Sequence, residues 1–242
     1  MSLTEKYRPK CWDDLVGDQI IPIRDHYLRC KEKGTYTIWL LTGPPGTGKT
    51  TIALILKIDP TFNDWIFSPL EYNASDDRGI DFVRNELKPQ TTFMATILII
   101  LDEADNLTED AQFAMRPILE KKSPSTLIIL IGNDENKFIP ALTSRCTHFR
   151  FNPLTYKDIA KRLQQIAEAE SLEYTLEQLE TIAIEANGDL RKAINILETV
   201  ITPDNKLRVK PREPTPQEMD EELDDLLKDL KGEEDNKDQH PN

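Results

Sequence analysis

Over its first 150 residues the chain alternates apolar runs with amphipathic stretches. Residues 36–42 (Tyr-Thr-Ile-Trp-Leu-Leu-Thr) read as a strand that enters a glycine-rich turn. Ala95–Leu101 and Thr126–Ile131 are continuous apolar runs rich in isoleucine, as expected of strands covered on both faces. Ile66–Tyr72 and Thr147–Phe151 are weaker strand patterns. Between them, Thr50–Lys57, Asp81–Leu87 and Thr108–Lys121 carry helical spacing. Strands alternating with helices predict an α/β fold, a parallel sheet between helices.

Beyond Phe151 the pattern is helical only. Ile159, Leu163, Ile166 and Ala167 share one helical face. Thr175-Leu-Glu-Gln178 is a capping-box pattern that opens a second helix. Asn187-Gly188 stops it, and Asp189 caps a third helix that buries Leu190, Ala193, Ile194, Leu197 and Ile201. From Thr202 the chain turns to proline and acid. The expected organisation is an α/β domain over 1–152, a small three-helix domain over 153–202 and an acidic, disordered tail over 203–242. Within the tail, Met219–Leu230 carries four leucines among acids and reads either as a solvated segment or as a short helix that docks on a partner.

Charge changes this picture in one respect. The net charge is -13, but residues 213–242 hold twelve acids and three lysines, a net of -9. Residues 1–212 are therefore nearly balanced, which leaves room for a local basic face. Cys11, Cys30 and Cys146 are far apart, and no C-x-x-C pair suggests zinc. No apolar run approaches the length of a membrane span. The N-terminus has no apolar signal region, so an intracellular protein that makes no use of a membrane is expected.

The clearest chemistry lies in Leu41-Thr-Gly-Pro-Pro-Gly-Thr-Gly-Lys-Thr-Thr51, where Gly43, Gly48, Lys49 and Thr50 satisfy G-x-x-x-x-G-K-[ST] between a strand and a helix. Such a loop (Gly43, Pro44, Pro45, Gly46, Thr47, Gly48) turns backbone N–H groups toward phosphate oxygens, helped by the helix N-terminus at Lys49, Thr50 and Thr51. Lys49 can reach the outer phosphates, and the Thr50 hydroxyl can hold Mg²⁺. The second apolar run ends in Asp102-Glu-Ala-Asp105, at the strand end where open α/β sheets place their chemistry. Asp102 suits Mg²⁺, directly or through water, and Glu103 suits a general base on an attacking water. Nucleoside triphosphate hydrolysis with Mg²⁺ is the favoured reaction; a phosphotransferase is the alternative, but the glutamate after the aspartate favours water as acceptor.

Other residues stay ambiguous on local grounds. Ser144-Arg-Cys146 precedes His148, so either a cysteine nucleophile or a working arginine can be read there. Asn133 is a turn residue or a group that orients water. Arg78, Arg84 and Lys88 are a solvated face or a phosphate-tracking one.

These motifs, in this order and spacing, make residues 3–202 resemble small subunits of the archaeal and eukaryotic replication factor C family, the sliding-clamp loaders among the AAA+ ATPases. Thr4-Glu-Lys-Tyr-Arg-Pro9 with Asp13-Asp-Leu-Val-Gly17 is similar to the N-terminal box that closes over the nucleotide base. Asn73-Ala-Ser-Asp-Asp-Arg-Gly-Ile80 is similar to a signature after the second strand. The resemblance implies that Thr4, Tyr7, Arg8, Pro9, Val16 and Gly17 surround the nucleotide. Asn133 and Arg191, the latter in Gly188-Asp-Leu-Arg191, become sensor residues. Arg145 becomes a finger that reaches the γ-phosphate of a neighbouring subunit, and Cys146 a packing residue.

The implied fold is a P-loop AAA+ core followed by a helical lid. The implied partners are other loader subunits, a sliding clamp and primer-template DNA, with Arg78, Arg84 and Lys88 as DNA contacts. Another AAA+ DNA-remodelling ATPase, such as a helicase loader, or a nucleotide-binding structural subunit that does not hydrolyse ATP, shares most of these features. Leu3 and Pro117 stand where the family usually has tryptophan and a second arginine after Arg116, and Lys88–Phe93 is a short loop. A kink at Pro117 is the expected consequence; separately, an acidic tail stands where the family has its collar domain, so assembly is expected to rest on the ATPase modules or on another chain.

Overall fold

The computed structural model describes residues 1–62, 69–76, 78–91 and 97–210. Parts of the predicted second and third strands (66–68 and 95–96), Asp77, the end of the short loop (92–93) and the segment Met219–Leu230 lie outside the described residues. The elements run α1 (Leu3–Lys6), a 3₁₀ turn (Trp12–Asp14), α2 (Ile20–Lys33), β1 (Ile38–Thr42), α3 (Lys49–Lys57) and β2 (Leu70–Asn73). There follow α4 (Ile80–Phe82), a π turn (Val83–Leu87), α5 (Lys88–Thr91), β3 (Leu98–Asp102), a 3₁₀ turn (Ala104–Asn106) and α6 (Glu109–Lys121). Next come β4 (Leu127–Gly132), a 3₁₀ turn (Glu135–Lys137), α7 (Pro140–Thr143) and β5 (Thr147–Arg150). Three helices complete the described elements: α8 (Tyr156–Ala169), α9 (Leu176–Ala186) and α10 (Leu190–Val200).

The five strands are parallel, in the order β2-β3-β4-β1-β5. β1 and β4 are buried along their whole length and β3 up to Asp102, as their unbroken apolar runs require. Alternate residues serve opposite faces. Leu40, Ile99, Leu101 and Leu130 pack with Val83, Leu87 and Met115 on one side. Trp39, Leu41, Ile100 and Ile129 pack with Tyr27, Ile52 and Leu56 on the other. Register brings Thr42 level with Gly132, Leu101 with Leu130 and Asn73 with Asp102. The turns after β1, β2, β3 and β4 therefore emerge along one end of the sheet, where ligands of such sheets bind.

One helix differs from expectation. The one predicted over Asp81–Leu87 extends from Ile80 to Thr91 and contains a π turn, in which Lys88 N–H bonds Val83 O. It thereby passes through Pro89, which has no amide hydrogen to offer the ladder. α6 likewise continues through Pro117 to Lys121. Its buried Gln112 amide donates to Leu107 O and Lys137 O and accepts from Ile139 N–H, which ties α6 to the turn after β4.

The lid core joins α8, α9 and α10 through Ile159, Leu163, Ile166, Leu179, Ile182 and Leu197. Thr175 and Gln178 form the capping box, Asn187 takes φ 50 and Gly188 φ 85, and Asp189 caps α10 through Lys192 N–H. Leu190 and Ile201 are only partly buried against this core. α1 also packs here, with Leu3 in the lid core, although it lies at the start of the segment 1–152.

The expectation of a tail beginning at 203 is corrected for its first residues. Residues 203–210 turn back over the lid: Thr202 N–H bonds Lys206 O, Glu173 N–H bonds Asn205 O, and the Gln178 amide donates to Leu207 O and Val209 O. Leu207 is buried. One leucine and a set of backbone bonds suffice to order this stretch, which composition alone marks as linker. Leu207→Ala is expected to cost about 2 kcal/mol, a fall of roughly 4–8 °C in Tm, which calorimetry checks. Among the described residues no helix is long and apolar enough to cross a membrane.

Candidate nucleotide site

At that end of the sheet, a cleft of about 500 Å³ lies between the loop after β1, the ends of β3 and β4, the N-terminal segment and the lid. Gly43 and Gly46 show why the loop needs glycine. Gly43 has φ 138 with the Phe151 backbone against it, and Gly46 has φ 70 with Asp189 against it. Gly46 O also accepts from Leu190 N–H (3.3 Å), so the start of α10 rests on the loop.

Lys49 is buried, and its Nζ donates to Gly43 O and Pro44 O, each at 2.7 Å. Burial pulls its pKa down to about 8; Asp102 opposes this and Arg191 adds to it. Thr50 Oγ1 donates to Asp102 Oδ2 at 3.0 Å. These two hard oxygens fit a divalent cation that keeps most of its water, as Mg²⁺ does. A glycine-rich loop at a helix N-terminus beside a buried lysine fits a phosphate chain.

Glu103 has φ 53, a left-handed conformation that costs a glutamate of order 1–3 kcal/mol and is typical of functional sites. Its N–H bonds Asp102 Oδ1 (2.8 Å), and its carboxylate accepts from Ser75 Oγ and Asn106 Nδ2. The sequence motifs assign no role to Asn106, nor to Ser75 within the segment Asn73–Ile80. Asn106 is three residues from Glu103, but Ser75 meets it only because β2 and β3 pair in register.

Thr4, Tyr7, Arg8, Pro9 and Val16 line the cleft from the N-terminal side; Pro45–Thr51, Asp102, Glu103 and Asn133 line its floor; Arg191 enters from the second residue of α10. Leu15, Ile131, Leu154, Leu190 and Ile194 add apolar walls that the motifs did not mark. Gly17 lines instead a smaller cleft, between Asp13, Asp14 and α8. Gly43 and Pro44 contribute through the carbonyls on Lys49.

Arg145 lies outside the cleft. Its Nε and Nη2 donate to Glu120 Oε1 (2.9 and 2.6 Å), and its Nη1 to Ala141 O (2.7 Å). Cys146 and His148 do not form a catalytic pair. The thiol donates to Leu142 O and burial pushes its pKa up to about 12, while His148 Nε2 bonds Thr42 Oγ1. Arg84 and Lys88 are exposed; Arg78 is exposed too, with its Nε on Ser75 O.

A parallel P-loop sheet with an Asp-Glu strand end and a three-helix lid over the cleft defines an AAA+ ATPase module. Two family models agree with that class: "ATPase family associated with various cellular activities (AAA)" over residues 39–154, and "RCF1/5-like, AAA+ ATPase lid domain" over 161–202. The chain belongs to the replication factor C family. It is 44% identical over 208 residues to the replication factor C small subunit of Methanothermobacter thermautotrophicus, covering 84% of this chain and 64% of that one. It is 40% identical over 230 residues to that of Aeropyrum pernix, covering 88% and 69%. Against replication factor C subunit 5 of Arabidopsis thaliana it is 43% identical, covering 81% and 54%. The chain thus spans about half to two-thirds of the length of these relatives. Solved structures of Thermotoga maritima RuvB share the fold, one with a TM-score of 0.67 at 19% identity, covering 84% of this chain and 69% of that one.

Proposed function

We propose that this chain is an ATP-hydrolysing clamp-loader subunit, which works inside the cell in a ring of like or related subunits to place a sliding clamp on primer-template DNA. The observation that carries this reading is the meeting of Lys49, Thr50, Asp102, Glu103 and the lid residue Arg191 around one cleft.

Lys49 exchanges its two loop carbonyls for the outer phosphates of ATP. Thr50 and Asp102 would hold Mg²⁺, which when bound offsets the charge between the phosphates and the two acids. Glu103 takes a proton from the attacking water, and Asn133 orients that water. Arg191 draws the lid onto the phosphates. Arg145 serves the site of the adjacent subunit. Arg78, Arg84 and Lys88 follow DNA phosphates by charge without reading bases.

Affinity purification of the full chain in ATP is expected to bring down a clamp and a larger loader subunit, identified by mass spectrometry; a helicase in their place would sink the reading. Lys49→Ala is expected to abolish tight ATP binding. In the wild type, phosphate restores the ammonium, so ATP binding takes up a proton once pH exceeds the free-state pKa. With a free-state pKa of about 8, affinity should therefore fall about fivefold between pH 8 and pH 9. Titration calorimetry at both pH values checks this, and a flat profile would mean that the free lysine is still charged at pH 9.

A further inference from the structure

The N-terminal wall of the cleft is anchored to two bodies. Residues 3–7 are fixed to the lid: Leu3 sits in the lid core, its N–H donates to Glu198 Oε2 (3.3 Å), and Arg162 Nη2 donates to Tyr7 O (3.1 Å). Residues 10–14 are fixed to the α/β domain. Asp13 pairs with Arg24 of α2 (2.8 Å), and Trp12 stacks on Tyr27 of α2 with ring centroids 5.9 Å apart. Between the anchors, Tyr7, Arg8 and Pro9 face the cleft, and Leu15 and Val16 follow them there.

Tyr7 is the hinge between anchor and wall. Its hydroxyl donates to Glu170 Oε1 at 2.6 Å, at the C-terminal end of α8, and Lys6 Nζ donates to the same oxygen. Glu170 itself does not line the cleft. The Lys6 contact is half-exposed and contributes little by itself. The Tyr7 contact is part-buried and charge-assisted, the stronger kind.

We propose that Glu170 is a positioning residue for nucleotide binding: through the Tyr7 hydroxyl it locks the N-terminal strap to α8, so that the stance of the lid sets the wall that receives the nucleoside. The proposal rests on reading the cleft as an ATP site. It makes the strap and lid one unit that approaches or leaves the phosphate loop together. Glu170 thus acts on the nucleoside end and not on the phosphates.

The test compares ATP with inorganic tripolyphosphate, which engages the loop but has no nucleoside, by titration calorimetry on the full chain. Glu170→Ala is expected to weaken ATP binding about tenfold and to leave tripolyphosphate affinity unchanged. Tyr7→Phe, which removes only the hydroxyl, is expected to do the same, and the double variant to be no weaker than either single one. Glu170→Gln keeps an acceptor for the hydroxyl and is expected to restore most of the affinity. Unchanged ATP affinity in both Glu170→Ala and Tyr7→Phe, equal losses for both ligands, or additive losses in the double variant would each overturn the proposal. Wild-type protein that binds tripolyphosphate but not ATP overturns it also. If the wild type binds neither ligand, the nucleotide reading of the cleft fails and the proposal falls with it.

Discussion

Arg145→Ala is expected to leave ATP affinity unchanged and to lower turnover of the assembled protein by about 10³-fold or more. Within its own chain the Arg145 guanidinium is held by Glu120 and Ala141 O, outside the cleft. Its loss therefore removes nothing from the local phosphate site. In the role proposed for it, the charge acts on phosphate from the other side of an interface, where an arginine would steady the charge that develops in transfer.

Mixed subunits give the sharper measurement. Lys49→Ala protein keeps its arginine and has a dead site; Arg145→Ala protein keeps a live site and lacks the arginine. Each alone should be nearly inactive, and the mixture should regain part of the ATPase rate as live sites meet intact arginines. No recovery at any ratio, with co-assembly demonstrated by light scattering, would mean that Arg145 serves its own subunit or only its structure.

Glu103→Gln is expected to bind ATP in the presence of Mg²⁺ as the wild type does, with hydrolysis slowed about 10²- to 10⁴-fold. The amide has the shape of the carboxylate, and its oxygen can still accept from Ser75 and Asn106. Asp102, which accepts the Glu103 N–H and the Thr50 hydroxyl, is untouched. Only the capacity to take a proton is lost. Single-turnover hydrolysis and equilibrium binding separate the two effects. A wild-type rate in Glu103→Gln would move the base elsewhere, and a loss of binding would mean that Glu103 supports the loop.

Much of this molecule was legible before folding because it is written in local chemistry. Unbroken isoleucine and leucine runs mark buried parallel strands, since each residue must satisfy one of two covered faces. Thr175 with Gln178, Asn187-Gly188 and Asp189 mark helix ends, since capping bonds span only three or four residues. The phosphate loop is contiguous, and glycine is the residue that tolerates its positive φ angles. The remainder depends on contacts between distant segments. Ser75 reaches Glu103 only through the register that sets Asn73 beside Asp102. Glu120 holds Arg145 only because α6 passes beside α7. Residues 203–210 are ordered by a single buried leucine and borrowed backbone bonds, too weak a signal against their polar composition. Tyr7 reaches Glu170 across 163 residues of sequence. Spacing along a chain carries no trace of such pairs, because burial and strand pairing, not chain proximity, bring them together.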